Sequence, residues 1–176
     1  MQRLLLLILL VPLFTLSAQR GGGRNRTPLH TEISNKEIVQ RVYPEATKVE
    51  KLNDYWYTIV DDSGKRYGYA MISVELCKDI IGYNGPTPIM LITDQTYIVR
   101  QVALMSHHET PAYIRMMEEA GFFNRWNGKA LKDLPQLEVD AVSGATLTAI
   151  AVQRNVTTLA KVGLKKLPGG KIRKSN

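Results

Sequence analysis

Ile89-Met90-Leu91-Ile92 is an unbroken apolar run between Pro88 and Asp94, and it predicts a short strand buried on both faces. A second apolar segment, Tyr97 to Met105, predicts a partner strand, with Asp94-Gln95-Thr96 turning between them. Upstream, Tyr55 to Leu76 divides into two strand patterns around the hairpin signal Asp62-Ser63-Gly64. Gly82 to Pro88 is a loop. In the C-terminal half the rhythm lengthens. Ala149, Val152, Val156 and Leu159 recur at helical spacing, with Gln153, Arg154 and Thr157 on the other side. Thr110 as cap and Pro111 at the first helical position open another helix, to about Ala120, ended by Gly121. Ser34-Asn35-Lys36-Glu37 has capping-box spacing and predicts a helix through about Val42, stopped by Pro44. Residues 122–138 read as a short helix and connector. No internal repeat is visible. Hairpin strands with helices at the ends predict an α+β domain, a mainly antiparallel sheet of hairpins with helices packed at one side.

The first 33 residues follow none of these rhythms. Arg3, the apolar stretch Leu4–Leu16 and the small residues Ser17 and Ala18 have the layout of a secretory signal peptide, cut after Ala18 or Gln19. The alternative is an uncleaved anchor, although the stretch is short of the ~20 residues a span needs. No cysteine follows it, which excludes a lipoprotein anchor. Residues 19–33, rich in Gly and Arg, read as a disordered linker, 34–164 as the folded domain and 165–176 as a basic tail. An exported protein is expected, periplasmic or at the cell surface, free or membrane-associated.

With 176 residues the chain forms one domain with a real core. Its net charge of +7 is unevenly spread. No acid follows Asp140, and Lys161, Lys165, Lys166, Lys171, Arg173 and Lys174 account for nearly all the excess. The rest is close to neutral, so nucleic acid is not an expected partner. The single cysteine, Cys77, reads as a buried small hydrophobe. Trp56 and Trp126 read as packing residues. His107-His108 lacks the further ligands a structural zinc site needs, so no metal is expected.

The stretch "VDAVSGATLTAIAV", Val139 to Val152, stands out. Ser143 suits a helix cap. Yet a helix N-terminus also offers free N–H groups and the positive end of the macrodipole to a phosphate. Gly144 lets a ligand approach the backbone. Ala145 adds almost no bulk, and Thr146 supplies a hydroxyl to which a phosphoester could attach. From the residues alone, cap and phosphate site both stand.

Asp140-Ala141-Val142-Ser143-Gly144-Ala145-Thr146 resembles the flavinylation motif of the FMN-binding domain family. That family includes flavin-carrying components of the Rnf electron-transport complex and of the sodium-pumping quinone reductase. Gly82-Tyr83-Asn84-Gly85-Pro86 resembles its Gly-Tyr-x-Gly segment, and His108-Glu109-Thr110-Pro111 its Glu-Thr-Pro segment. Phe123 to Lys129, with Trp126 and Gly128, resembles the connector that follows. The likeness spans roughly Tyr69 to Ala160, and Thr148 fits it too. The resemblance implies FMN joined to Thr146 by a phosphodiester, loaded by a separate flavin transferase from FAD with magnesium. Cofactor neighbours implied are Asp140, Ser143, Gly144, Ala145, Thr110, Glu109, Tyr83 and Gly85. The family's Gly-x-Gly after Glu-Thr-Pro is replaced by Ala112-Tyr113-Ile114, and the cleavable N-terminus departs from Rnf-type members.

The implied function is an exported flavoprotein that passes electrons from a donor complex at the membrane to an acceptor the sequence does not name. Two rivals remain: a flavin-dependent reductase of a small molecule, and a non-redox exported adaptor without flavin. For Tyr83 a core position is the alternative to a flavin contact, and Tyr113 leans toward surface packing. Glu109 suits a charge set against the helix dipole. No acid–base or nucleophilic catalytic set is recognisable.

Overall fold

The computed structural model describes residues 35–168. The expected signal peptide, the whole linker with His30, Ser34 of the capping box and all but the first residues of the basic tail lie outside them. Five strands form one antiparallel sheet in chain order: β1 (Lys48–Lys51), β2 (Tyr57–Val60), β3 (Arg66–Ile72), β4 (Ile89–Asp94) and β5 (Val99–Leu104). Three helices accompany it: α1 (Asn35–Val42), α2 (Pro111–Glu119) and α3 (Thr146–Lys165). Short 3₁₀ turns occupy Phe122–Asn124 and Leu131–Gln136. The α+β reading with an antiparallel sheet of hairpins holds.

The sheet is a meander because each connection carries its own turn chemistry. At the β2–β3 hairpin the Asp61 carboxylate accepts hydrogen bonds from the Ser63 and Lys65 N–H groups, at 2.9 and 3.0 Å. Asp94 does the same for Thr96 and Ile98 between β4 and β5, at 2.8 and 3.0 Å. Such Asx turns fold the chain back on itself within a few residues. β3 ends at Ile72 rather than running on to Leu76. There the Ser73 hydroxyl accepts the Ile89 N–H at 2.9 Å, and a turn follows. Cys77 lies in that turn, buried as expected.

β4 is the central buried strand, and its alternate residues feed two cores. Ile89 and Leu91 join Trp56, Met71, Val102, Phe122 and Trp126 on the side covered by α2 and α3. Met90 and Ile92 join Ile59 and Ala70 on the other side, covered by α1 through Ile38 and Val39. Most of the helical mass therefore packs at one side, with α1 added on the second face. Both tryptophans are core residues, as expected. The Trp56 indole N–H donates to the Gly163 carbonyl at 3.2 Å, which fixes the far end of α3 on the sheet. No described helix is long and apolar enough to cross a membrane.

Candidate functional site

α3 begins at Thr146, and its N-cap position is Ala145, with no side-chain capping bond. Ser143 does not cap the helix, contrary to the sequence expectation. Gly144 explains why: its φ of +82° turns the chain sharply between Ser143 and the helix. Ser143 and Gly144 are exposed, and Ala145 is buried beneath them. The first-turn N–H groups of Thr146, Leu147 and Thr148 thus sit at a helix end that no side chain caps. Thr146 is exposed, and its hydroxyl donates to the Val142 carbonyl at 3.4 Å, too long to be a strong O–H···O bond.

The three motif segments, far apart in sequence, meet at Glu109. Its side chain is fully buried, at 0 % exposure. One carboxylate oxygen accepts the Asn84 N–H at 3.1 Å, and the other accepts the Thr148 hydroxyl at 2.9 Å. Glu109 therefore ties the Gly82–Gly85 loop to the first turn of α3. The sequence suggested a charge set against a helix dipole; the structure instead shows a buried tie. Asn84 adds a second link through its amide, which donates to the His108 carbonyl at 2.5 Å. Gly82 fits because it lacks a Cβ, which would lie 2.2 Å from a Glu109 oxygen. Gly85, at φ +129°, closes the loop, and its carbonyl accepts the Gly82 N–H at 2.8 Å.

α2 starts where expected, with Thr110 at the N-cap and Pro111 following. The Thr110 side chain makes no capping bond, which leaves its hydroxyl out of the helix frame. Tyr83, weighed as a core aromatic, is 58 % exposed and stands edge-on to Tyr113, ring centroids 4.9 Å apart. Hydrogen bonding with Tyr83 pushes the Tyr113 phenol above its ordinary value, and the charges of Tyr83 and Glu109 act in the same direction. Met116, one turn along α2 from Tyr113, approaches Gly144: a Cβ there would lie 3.1 Å from the Met116 sulfur. Met116 and Leu147 are 43 % and 58 % exposed. Exposed Tyr83, Met116 and Leu147 and half-buried Tyr113 thus supply an apolar and aromatic rim on the segments that Glu109 and the Gly144 turn join to the start of α3. Asp140 is exposed to one side, and its carbonyl accepts a bond from the Arg125 guanidinium.

Sequence reasoning singled out the Ser143–Thr146 loop, Glu109 and Tyr83, but not Met116, Leu147 or the bridging part of Asn84. Met116 was findable, since it lies at i+3 from Tyr113 on one helix face. The bridge was not, because no spacing rule relates Asn84 to His108. Among the described residues no cluster of three or more His, Cys, Asp or Glu side chains could hold a metal ion. His107 instead accepts the Glu109 N–H at 3.1 Å.

The arrangement fits FMN on its own terms. An uncapped helix end favours a phosphate, a loosely held hydroxyl stands beside it, and an apolar rim can receive a flat aromatic ring. Comparison with known families agrees. The model of the FMN-binding domain matches residues 82–161, a little under half of the chain, so this stretch is similar to the FMN-binding domain family. Among curated proteins, "Regulatory protein NosR" of Pseudomonas aeruginosa is 28 % identical over 143 residues. The alignment covers 74 % of this chain and 20 % of NosR, so the chain spans about a fifth of that relative's length.

Proposed function

We propose that the protein carries FMN covalently through a phosphodiester to Thr146 and works as an exported electron-transfer flavoprotein. The observation that supports this most directly is exposed Thr146, its hydroxyl weakly bonded at 3.4 Å, at the uncapped N-terminus of α3. FMN, when bound, supplies reversible acceptance and release of electrons. The chain's own residues do the rest. The first-turn N–H groups of α3 hold the phosphate, and Gly144 gives it room. Ser143 and Ala145 frame the approach. Tyr83, Tyr113, Met116 and Leu147 receive the ring. Glu109 fixes the Tyr83 loop and α3 relative to each other. Covalent attachment suits an exported protein, which has no free FMN pool to draw on. The loading partner is a flavin transferase that uses FAD, the electron donor is a complex at the membrane, and the acceptor is of unassigned chemistry.

The carrier reading is favoured over a small-molecule reductase by the exposure of Tyr83, Met116 and Leu147. Cavities of about 580, 250 and 410 Å³ are present in the described structure. None is lined by Thr146, Tyr83 or Tyr113, whereas a substrate site is usually a concave pocket.

The test is the intact mass, in denaturant, of the full chain co-expressed with a flavin transferase, beside Thr146→Ala. The wild type alone is expected to gain FMN less one water and to stay yellow when unfolded. Equal masses for both would overturn the covalent reading and favour the adaptor.

A further inference from the structure

α3 ends in a cluster of cations. Lys161, Lys165 and Lys166 are exposed there, and Lys171, Arg173 and Lys174 follow in the sequence, with no acid after Asp140. The Asn53 amide donates to the Lys166 carbonyl at 3.2 Å, so the turn between β1 and β2 lies against this helix end. The acid of that turn, Asp54, is already paired with Lys51 at 3.5 Å.

A cavity of about 410 Å³ opens at the same place, lined by Leu52, Asn53, Arg66, Tyr69, Leu167 and Pro168. Arg66 is its one cation, and it is held in position. The guanidinium stands 5.5 Å from the centroid of the Tyr69 ring and donates to the Tyr69 hydroxyl at 3.1 Å. Tyr69 is fixed in turn: its ring stacks on Tyr97 with centroids 5.3 Å apart, and the Tyr97 hydroxyl donates to the Pro168 carbonyl at 2.6 Å. Among the described residues Arg66 forms no ion pair. An arginine set on a ring without a carboxylate keeps the rest of its N–H fork for an anion. Leu52, 44 % exposed, and half-buried Leu167 put apolar surface beside it.

A fixed arginine among lysines suits a phosphate. The apolar side chains next to it suit the level at which headgroups meet acyl chains, which a free anion would leave in water. We propose that this end of the domain docks on an anionic lipid surface. A headgroup phosphate sits on Arg66, Leu52 and Leu167 reach the acyl boundary, and the lysines of α3 and the basic residues beyond it face neighbouring headgroups. The proposal stands without the flavin reading. Joined to it, the docking separates two tasks: α3 runs 20 residues from Thr146 to Lys165, about 30 Å at the helical rise, so the lipid-bound end and the flavin end meet different neighbours.

The test is co-sedimentation of the full chain, without flavin, with phosphatidylcholine vesicles that contain or lack phosphatidylglycerol. Affinity is expected to be at least ~tenfold higher for the anionic vesicles and to fall as salt screens the charges. Lys165→Ala with Lys166→Ala, both exposed, is expected to weaken anionic binding about 25-fold. Arg66→Ala should weaken it too, and Arg66→Lys should restore only part, since it keeps the charge but not the fork. Should the apolar N-terminal stretch bind every vesicle, or Arg66→Ala not fold, a soluble short-chain phosphatidylglycerol decides. By NMR it is expected to shift the amides of Asn53, Arg66 and Leu167 in the unaltered chain, and its phosphatidylcholine counterpart is not. The proposal is overturned if the soluble anionic lipid leaves those amides unmoved. Inorganic phosphate moving them equally far would overturn the lipid reading in favour of a free anion. An anionic preference lost on removing residues 169–176, but unchanged in the Lys165–Lys166 and Arg66 variants, would overturn the site. Because no flavin is loaded, none of these outcomes bears on Thr146.

Discussion

Thr148 donates its hydroxyl to the buried Glu109 carboxylate at 2.9 Å, and this bond joins the start of α3 to the segment before α2. Because Glu109 also accepts the Asn84 N–H, one side chain holds three separate stretches in register. Glu109→Ala would leave two donors without their acceptor in a dry place. A loss of about 3 kcal/mol is expected, from hydrogen bonds to a charged group. Glu109→Gln keeps an acceptor and should cost less. Urea denaturation of both variants measures this, and equal losses would contradict the tie.

Gly82 bears on the same bond from the other side. In Gly82→Ala the new Cβ would sit 2.2 Å from a Glu109 oxygen and 2.7 Å from the Thr87 methyl. Something must shift, and overpacking of this kind costs ~1–3 kcal/mol. Combined with Glu109→Ala the cost should be less than the sum, since the clash is relieved. A double-mutant cycle in urea shows whether it is.

Gly144 carries the turn into α3 at φ +82°. Gly144→Ala should lower stability by ~1–2 kcal/mol through the left-handed conformation, and Gly144→Asn by less. Its space is bounded by the flexible end of Met116, so strain rather than collision should dominate. If Ala and Asn cost the same by thermal unfolding, the backbone explanation fails.

Thr146→Ala should leave the stability of the flavin-free protein within ~0.5 kcal/mol, since the residue is exposed. A larger change in chemical denaturation would mean that the hydroxyl contributes to the fold.

Cys77 is one of the groups through which alkaline pH acts on the fold. Burial pushes its thiol up from 9.0 to about 11, with a side-chain bond to Thr158 opposing. The neutral thiol is thus favoured in the fold. The stability it contributes is complete below the unfolded value and is lost as pH rises from about 9 to about 11. Cys77→Ala should flatten the fall in unfolding free energy over that window, measured relative to pH 8. A thiol reagent at pH 8 should label the unfolded chain far faster than the native one.

Legibility followed burial. β4 announced itself because both its faces are buried and nothing polar interrupts it. The α3 stripe from Ala149 to Leu159 was equally plain. β1 escaped notice: all four of its residues are exposed, and Lys48-Val49-Glu50-Lys51 shows no buried face to betray a strand. It exists because β2 offers it an edge, and its charges suit the end of a sheet. The site divided the same way. Motif residues contiguous in sequence were visible, whereas the roles of Glu109 and Asn84 depend on segments brought together by folding. Ser143 was assigned a cap on composition, but the left-handed turn at Gly144 moved the helix start beyond it.

On the proposed attachment, the weakly held Thr146 hydroxyl would also set an order of events. A residue whose side chain supports nothing beneath it is in place only after the rest of the domain has formed, and changing it disturbs nothing already built. A group added there would meet a finished surface rather than a nascent chain, so the protein would mature by decoration and not by cofactor-directed folding. Unloaded molecules would then persist as well-folded ones, waiting beside the loaded pool and competing with it for the same partners.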